Sequence, residues 1–362
     1  MNLSCKILFL FNFLLHSISI QAKIPNFTNK ELQKPPSKVI RICCAFGSDL
    51  SVARIPFVKK NDITSIDNLG THKYLGGHSE GLGIIYTKKG GFIDLGHLRD
   101  YADWTAYLYN QILLRKETGE SLVLNLGVEG GMKNLELTVP NQQDSIYYYE
   151  LAASIAYDLS VWHEIATWFG ASTIPMVPER FSSFSPEDLY SNLLGIKLGI
   201  MAIKSELEYN EAMTKLLAET FKDLNSVASV QETYLAMEEV ENIWWTRKKP
   251  IPSGKMLLKR YLGSETHLQP WLLPNDEIAH SANQLAKPNA RLSGLYELSI
   301  KLNSKFPLKS LESAHVDRTI NQKDFSWFID YIQEDQINME IRTASREQKS
   351  TERKDKRQHL AD

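Results

Sequence analysis

The apolar positions of the chain change their spacing near residue 145, and this change predicts two kinds of secondary structure. Before it, short apolar runs are broken by glycine. Residues 82–95 contain two such runs around residues 88–91, the pattern of a β-hairpin, and residues 121–127 and 135–140 predict two more strands. Residues 39–47 predict a further buried strand, and residues 97–116 a helix that stops at Thr118 and Gly119.

Beyond residue 145 the apolar spacing is that of helices. Residues 147–170 predict one long helix that is apolar on nearly every face, and residues 185–210 predict another that begins with Ser185 and Pro186. Further helices are expected over residues 211–222, 230–243, 276–286, 291–304 and 322–338. The fold class predicted is therefore α+β, with a small β-rich N-terminal part (hairpin plus strands, residues 38–142) packed on a predominantly helical part (residues 145–340). We expect a single domain over residues 38–340, although the pattern also accommodates two domains.

Both ends of the chain are expected to lie outside that domain. Residues 1–22 combine Lys6, an apolar run and a terminal Ala22, which is the pattern of a signal peptide; an uncleaved N-terminal anchor is the alternative. Residues 23–37 contain three prolines and predict a linker, and the charged residues 341–362 predict a disordered tail. The expected location is the periplasm or cell envelope.

Net charge and the distribution of basic and aromatic residues indicate which partners the chain can bind. The chain has 362 residues, is 43% hydrophobic and carries a formal net charge of −2, so no general field favours nucleic acid. Residues 244–260 mix tryptophan with lysine and arginine, which predicts contact with a membrane surface or a cell-wall polymer; a solvated basic loop is the alternative. After the leader only Cys43 and Cys44 remain, and adjacent cysteines make no disulfide framework.

The long apolar helix carries a His163-Glu164 pair that needs a partner, because an unpaired buried charge costs several kcal/mol. The zinc protease signature His-Glu-x-x-His is broken, since Thr167 stands at the second histidine position. His97 is then the expected second metal ligand. Glu187 fits either a third ligand or, as we favour, a residue that stabilises the start of its own helix.

His97 lies where the hairpin meets the next helix, and Asp100 follows three residues later on the same face. The positive end of a helix favours neutral imidazole, the form that binds metal. We therefore predict a metal-assisted hydrolase with His97 and His163 as metal ligands and Glu164 and Asp100 as catalytic residues. Glu164 would be the base or a further ligand, and the expected cofactor is a divalent metal such as zinc. The alternative is a non-catalytic envelope binding or scaffolding protein, in which these four residues form a buried polar network.

Other polar residues complete the prediction. A second enzyme alternative is a papain-like thiol enzyme with Cys44 as nucleophile and His78 or His97 as its base. The expected substrate-binding residues come from the glycine-rich loop 76–83, the helix start and the segment before residue 185: His78, Glu80, Arg99, Glu179 and Ser183.

Four segments together resemble a known bacterial family, the domain of unknown function 4056. They are ICCAFG (42–47), YTKKGGFIDLGHLRDYADWTAYL (86–108), WHEIATWFG (162–170) and FSSFSPEDLYSNLLG (181–195). The resemblance covers roughly residues 38 to 340 and implies a bacterial, envelope-associated protein. It brings no activity, so it assigns no catalytic residue.

Overall fold

A computed structural model describes residues 34–36, 41, 45–51, 63–139, 145–171, 179–263, 265–275, 282–306, 318–339 and 341. The predicted signal peptide, both adjacent cysteines and almost all of the predicted linker and tail lie outside these residues. The predicted α+β class is confirmed. The helices are α1 (Leu95–Thr118), α2 (Ser145–Trp168), α3 (Asp188–Lys204), α4 (Tyr209–Asp223), α5 (Val230–Glu239) and α6 (325–339).

The strands form three antiparallel sheets among the described residues. They are β1 (Ile84–Thr87), β2 (Gly91–Asp94), β3 (Ser121–Val128), β4 (Gly131–Thr138), β5 (His267–Leu268), β6 (Leu285–Ala286), β7 (Tyr296–Leu302) and β8 (Thr319–Ile320). The hairpin β1–β2 and the strands β3 and β4 occur where the sequence predicts them. The larger sheet has the order β3-β4-β7-β8, so its strands do not all come from the N-terminal part.

Three predicted elements are wrong in their described parts. The helix expected over residues 291–304 is strand β7, because Tyr296, Leu298, Ile300 and Leu302 alternate with exposed residues and pack on the core beside β4. Of the helix expected over residues 276–286, the described part is 282–286, and it contains strand β6, which pairs with β5. The strand expected over residues 39–47 has bends rather than strand at its described residues.

Helices α1 and α3 run in the same direction and touch through glycine. A Cβ atom at Gly195 would lie 2.0 Å from the main-chain oxygen of Leu98, and one at Gly199 would lie 2.7 Å from that of Ala102. Both contacts join residues 97 positions apart in the chain, so the two helices advance together. Their N-terminal ends, which carry the positive helix dipole, therefore lie side by side.

The hairpin between β3 and β4 brings its tip against α2. Gly130 has a φ of 63° at this tip, and a Cβ there would lie 2.9 Å from the Cβ of Ala166. The indole of Trp162 donates a hydrogen bond of 2.8 Å to the main-chain oxygen of Glu129. This packing places the last turns of α2 beside both the hairpin tip and the start of α3. None of the helices within the described residues is long and apolar enough to cross a membrane.

Candidate metal centre

His97, His163 and Glu164 come together where α1 begins and α2 nears its end. Each offers one ligand atom, and these atoms all lie within 4.8 Å of one another. The two imidazole rings have their centroids 5.3 Å apart and meet edge to face. Ligands of a tetrahedral zinc ion lie about 3.4 Å from one another, so closure around a cation needs side-chain movements of about 1 Å.

His163 is oriented by a carboxylate from the hairpin tip. Its Nδ1 lies 2.7 Å from Oε1 of Glu129, whose other oxygen accepts a 2.6 Å hydrogen bond from Nζ of Lys133. Carboxylates commonly hold metal-binding histidines in this way, because the bond fixes the ring and leaves the other nitrogen for the metal. The side chain of His163 is 18% exposed, which makes it the group through which solvent reaches the cluster.

Glu164 is bound to the segment that leads into α3. One carboxylate oxygen accepts a 2.7 Å hydrogen bond from the main-chain nitrogen of Phe184, and the Glu164 main-chain oxygen accepts one of 2.8 Å from the hydroxyl of Ser183. Its other carboxylate oxygen is buried and has no hydrogen-bond partner of normal geometry among the described residues, although the carboxyl interacts with that of Asp188. A ligand atom is therefore available on Glu164.

The start of α3 adds two buried carboxyl groups. Asp188 has one oxygen 3.2 Å from Nδ1 of His97, and its other oxygen accepts a 3.0 Å hydrogen bond from the main-chain nitrogen of Ser185. The carboxylate oxygens of Glu187 are buried without a hydrogen-bond partner of normal geometry in the described part of the chain. Glu187 makes no side-chain cap for α3, so the helix-stabilising role that we favoured from sequence is not carried by a hydrogen bond.

These carboxyl groups resist ionisation in the absence of a cation. Burial raises the pKa of Asp188 to about 6, even though the nearby His97 acts in the opposite direction. Burial, and next the Asp188 carboxyl, raise the pKa values of Glu164 and Glu187 well above their usual range. The buried guanidinium of Arg260 interacts with both Glu164 and Asp188.

Asp94 lies beside this cluster, and its burial is explained by a structural role at the start of α1. One of its oxygens accepts hydrogen bonds from the main-chain nitrogens of Gly96 (2.6 Å) and His97 (3.1 Å), so it caps α1. Its own main-chain nitrogen donates to the hydroxyl of Ser191 on α3. Asp94 therefore stabilises the start of α1.

Asp100 is committed to a second cluster, built on Arg41. The guanidinium of Arg41 contacts Asp100 at 3.0 Å, Asp103 at 2.8 Å and Glu80 at 2.7 Å. Arg99 is buried here as well, and it contacts a ring nitrogen of His72. The predicted site residues Asp100, Glu80 and Arg99 therefore belong to this separate ion-pair network. Of the predicted catalytic residues and metal ligands, the structure brings His97, His163 and Glu164 together.

The remaining predicted residues are dispersed. His78 is exposed in a turn, and Glu179 is buried just before the segment that holds Glu164. Ser183 contacts Glu164 through the main-chain oxygen described above, and Cys44 lies outside the described residues.

The aromatic and basic segment 244–260 divides between core and surface. Trp244 and Trp245 are buried, so the rings are not available to a membrane or polymer. The lysines of the segment remain exposed: Lys248, Lys249, Lys255 and Lys259.

Sequence reasoning missed Glu129, Arg260 and Asp188 as members of the site. Nothing in the local pattern marks the first two, because their partners lie 34 and 77 residues away in the chain. A signal for Asp188 does exist, since it follows Ser185 by three residues in the spacing of a capping box.

Comparison with known proteins identifies the chain at the level of family. The model of a family described as "Protein of unknown function (DUF4056)" matches residues 30–274. No curated protein and no solved structure matches the chain.

Proposed function

We propose that this chain, which belongs to the family of proteins of unknown function DUF4056, is a metal-dependent hydrolase. His97, His163 and Glu164 would hold the cation. The observation that carries the proposal is the convergence of these three ligand atoms within 4.8 Å. Both histidines have a carboxylate on the ring nitrogen Nδ1, which leaves Nε2 for the metal.

The balance of buried charge supports a divalent ion. With the histidines neutral, as metal ligands must be, four buried carboxyls lie together: Asp94, Glu164, Glu187 and Asp188. Among the described residues, the buried guanidinium of Arg260 interacts with Glu164 and Asp188. Full ionisation would leave negative charge in excess in a low-dielectric interior, which is strongly unfavourable, and a divalent cation would lower that cost.

The arrangement also provides for proton transfer. A bound cation would lower the pKa of a coordinated water towards neutrality. Asp188 would be the proton acceptor, because its buried carboxyl lies against His97 and beside Glu164, and a bound cation would favour its ionised form. Glu164 would then act as a ligand, and Glu187 would add negative charge behind it.

Metal content of the purified full-length chain tests the proposal. We expect a divalent metal close to one per chain by elemental analysis. Since each histidine supplies one of three ligands, His97→Ala and His163→Ala should each lower the metal affinity by at least about tenfold. His78→Ala removes an exposed histidine outside the cluster and should leave the metal content unchanged.

The hydrolase part needs a separate measurement. Chelator-sensitive cleavage of ester, amide or phosphoester model substrates should be abolished by Asp188→Asn at a metal concentration that saturates the variant. A wild-type chain that neither contains metal nor takes it up after treatment with chelator would refute the metal centre. Metal binding without any chelator-sensitive cleavage would refute the enzyme and leave a metal-binding protein.

A non-catalytic envelope binding or scaffolding protein is the second candidate, and one observation favours it. Glu164 and Asp188 both accept main-chain hydrogen bonds from the segment before α3, as buried carboxyls in an ordering network do. In that case His97→Ala and His163→Ala should lower the free energy of unfolding equally with and without added metal.

Export to the cell envelope is a further part of the proposal, supported by the signal-peptide pattern of residues 1–22. Expression of the full chain in a bacterium should give a product that lacks these residues by intact mass and is found outside the cytoplasm. A cytoplasmic product that retains its first residues would contradict it.

A further inference from the structure

Two arginines stack on Trp168, the last residue of α2, close to the metal centre. The guanidinium carbon of Arg180 lies 3.8 Å from the ring centroid of Trp168, and that of Arg260 lies 4.9 Å from the same ring. Trp168 follows Glu164 by four residues on α2, so the ring is one helical turn, about 6 Å, further along the helix. Arg260 interacts directly with Glu164 and Asp188, and Arg180 stacks on the ring one turn beyond Glu164.

The two arginines are bound differently. Arg260 is buried and donates to the main-chain oxygens of Ser183, Arg180 and Gly254, and it makes no ion pair with an acid within the described part of the chain. These bonds fix its position. Arg180 is 34% exposed, and its one acidic partner among the described residues is Asp335 on α6. Its guanidinium is the one that a molecule in solution can reach.

The electrostatics of this pair favour an anion. Burial, and next the charge of Arg180, lower the pKa of Arg260 to about 9, so the two guanidinium groups lie close enough to repel each other. An anion beside Arg180 would relieve that repulsion, and a planar guanidinium offers two parallel donors to a carboxylate or phosphate.

The adjoining surface is positive as well. Gly254 lies against the side chain of Arg180, with its ideal Cβ position 3.5 Å from the Arg180 Cγ. Residues 242–263 contain no acidic residue, and their exposed lysines include Lys255, the neighbour of Gly254 in the chain. A negatively charged molecule would therefore be attracted towards Arg180 from this side.

We propose that Arg180, stacked on Trp168, binds an anionic group of the substrate, a carboxylate or a phosphate, one helical turn from the metal centre. That the anion belongs to a substrate rests on the proposed hydrolase function. Anion binding at Arg180 does not itself require the metal. The hydrolase would accordingly act on molecules that carry a negative charge near the bond to be cleaved.

Calorimetric titration of the metal-free full-length chain tests anion binding without interference from a cation. The probes are inorganic phosphate and acetate, titrated separately, and the pair shows which of the two anion chemistries is preferred. Wild type should bind at least one probe, and Arg180→Gln should bind it at least about tenfold more weakly, because a charge-assisted paired hydrogen bond is lost. Arg115→Gln is the matched control, since Arg115 is similarly exposed (38%) and, among the described side chains, forms an ion pair with Glu120.

A second variant changes binding in the opposite direction. Asp335→Asn releases Arg180 from its ion pair and should tighten binding of the same probe several-fold. Absence of binding to wild type, equal binding by wild type and Arg180→Gln, or an unchanged affinity in Asp335→Asn would overturn the proposal. The metal content of Arg180→Gln, measured in parallel, should equal that of wild type. Loss of the metal centre and loss of the anion site are therefore distinguishable.

Discussion

Replacement of Asp188 by asparagine should flatten the pH dependence of stability in the metal-free protein. Asp188 is fully buried, and burial raises its pKa from an ordinary 3.8 to about 6. Below pH 4 the carboxyl is protonated in both the folded and the unfolded chain. Between pH 4 and pH 6 the unfolded chain loses the proton while the folded chain keeps it, so the folded state loses stability as the pH rises.

The size of the effect follows from the shift. A difference of about two pKa units, at about 1.4 kcal/mol for each unit, corresponds to about 3 kcal/mol in all. About 2.4 kcal/mol of this is lost between pH 4 and pH 7, because the carboxyl in the unfolded chain is already partly ionised at pH 4. Asparagine has the same shape, cannot ionise, and can still accept the hydrogen bond from the Ser185 main-chain nitrogen that Asp188 accepts. The stability of Asp188→Asn relative to wild type should therefore rise by about 2.4 kcal/mol over this interval.

Urea unfolding at pH 4 and pH 7, after removal of metal by chelation and dialysis, measures the two differences. Asp223→Asn is the control, because Asp223 is an exposed carboxyl on α4 and should change stability equally at both pH values. A stability difference between Asp188→Asn and wild type that stays constant from pH 4 to pH 7 would refute the reasoning. Added metal should remove the advantage of the variant at pH 7, because the cation stabilises the ionised carboxyl cluster.

Two further predictions concern the packing that builds the site. Gly195→Ala should lower the free energy of unfolding by more than about 2 kcal/mol, because its Cβ would meet the Leu98 main-chain oxygen at 2.0 Å and push α1 from α3. Gly294→Ala is the control, since no atom lies within 4 Å of its added Cβ. Equal stability of the two variants in urea unfolding would contradict the packing argument. Glu129→Gln should weaken metal affinity about 10- to 100-fold in a chelator competition assay, because His163 loses its carboxylate partner; an unchanged affinity would show that His163 needs no such orientation.

Local pattern determined much of the fold. The hairpin β1–β2 and the helices α1 and α2 form where the sequence predicts them, because the spacing of apolar residues and the position of glycine are properties of the chain itself. The same reasoning failed at β7. The segment YELSIKL has leucine and isoleucine spacings compatible with a helix, and its pairing with β4, more than 150 residues earlier, decides in favour of a strand.

The sequence by itself also determined that the His163-Glu164 pair, on a helix that is apolar almost all round, requires partners. Which partners it meets was decided only by tertiary structure. Asp100 lies three residues from His97 but its side chain goes to Arg41, whereas Asp188, 91 residues from His97, reaches it because α1 and α3 pack in parallel through glycine. Residues that share a helix face can be identified from their spacing in the sequence. A contact made by the close approach of two backbones, as between α1 and α3, has no such regular spacing.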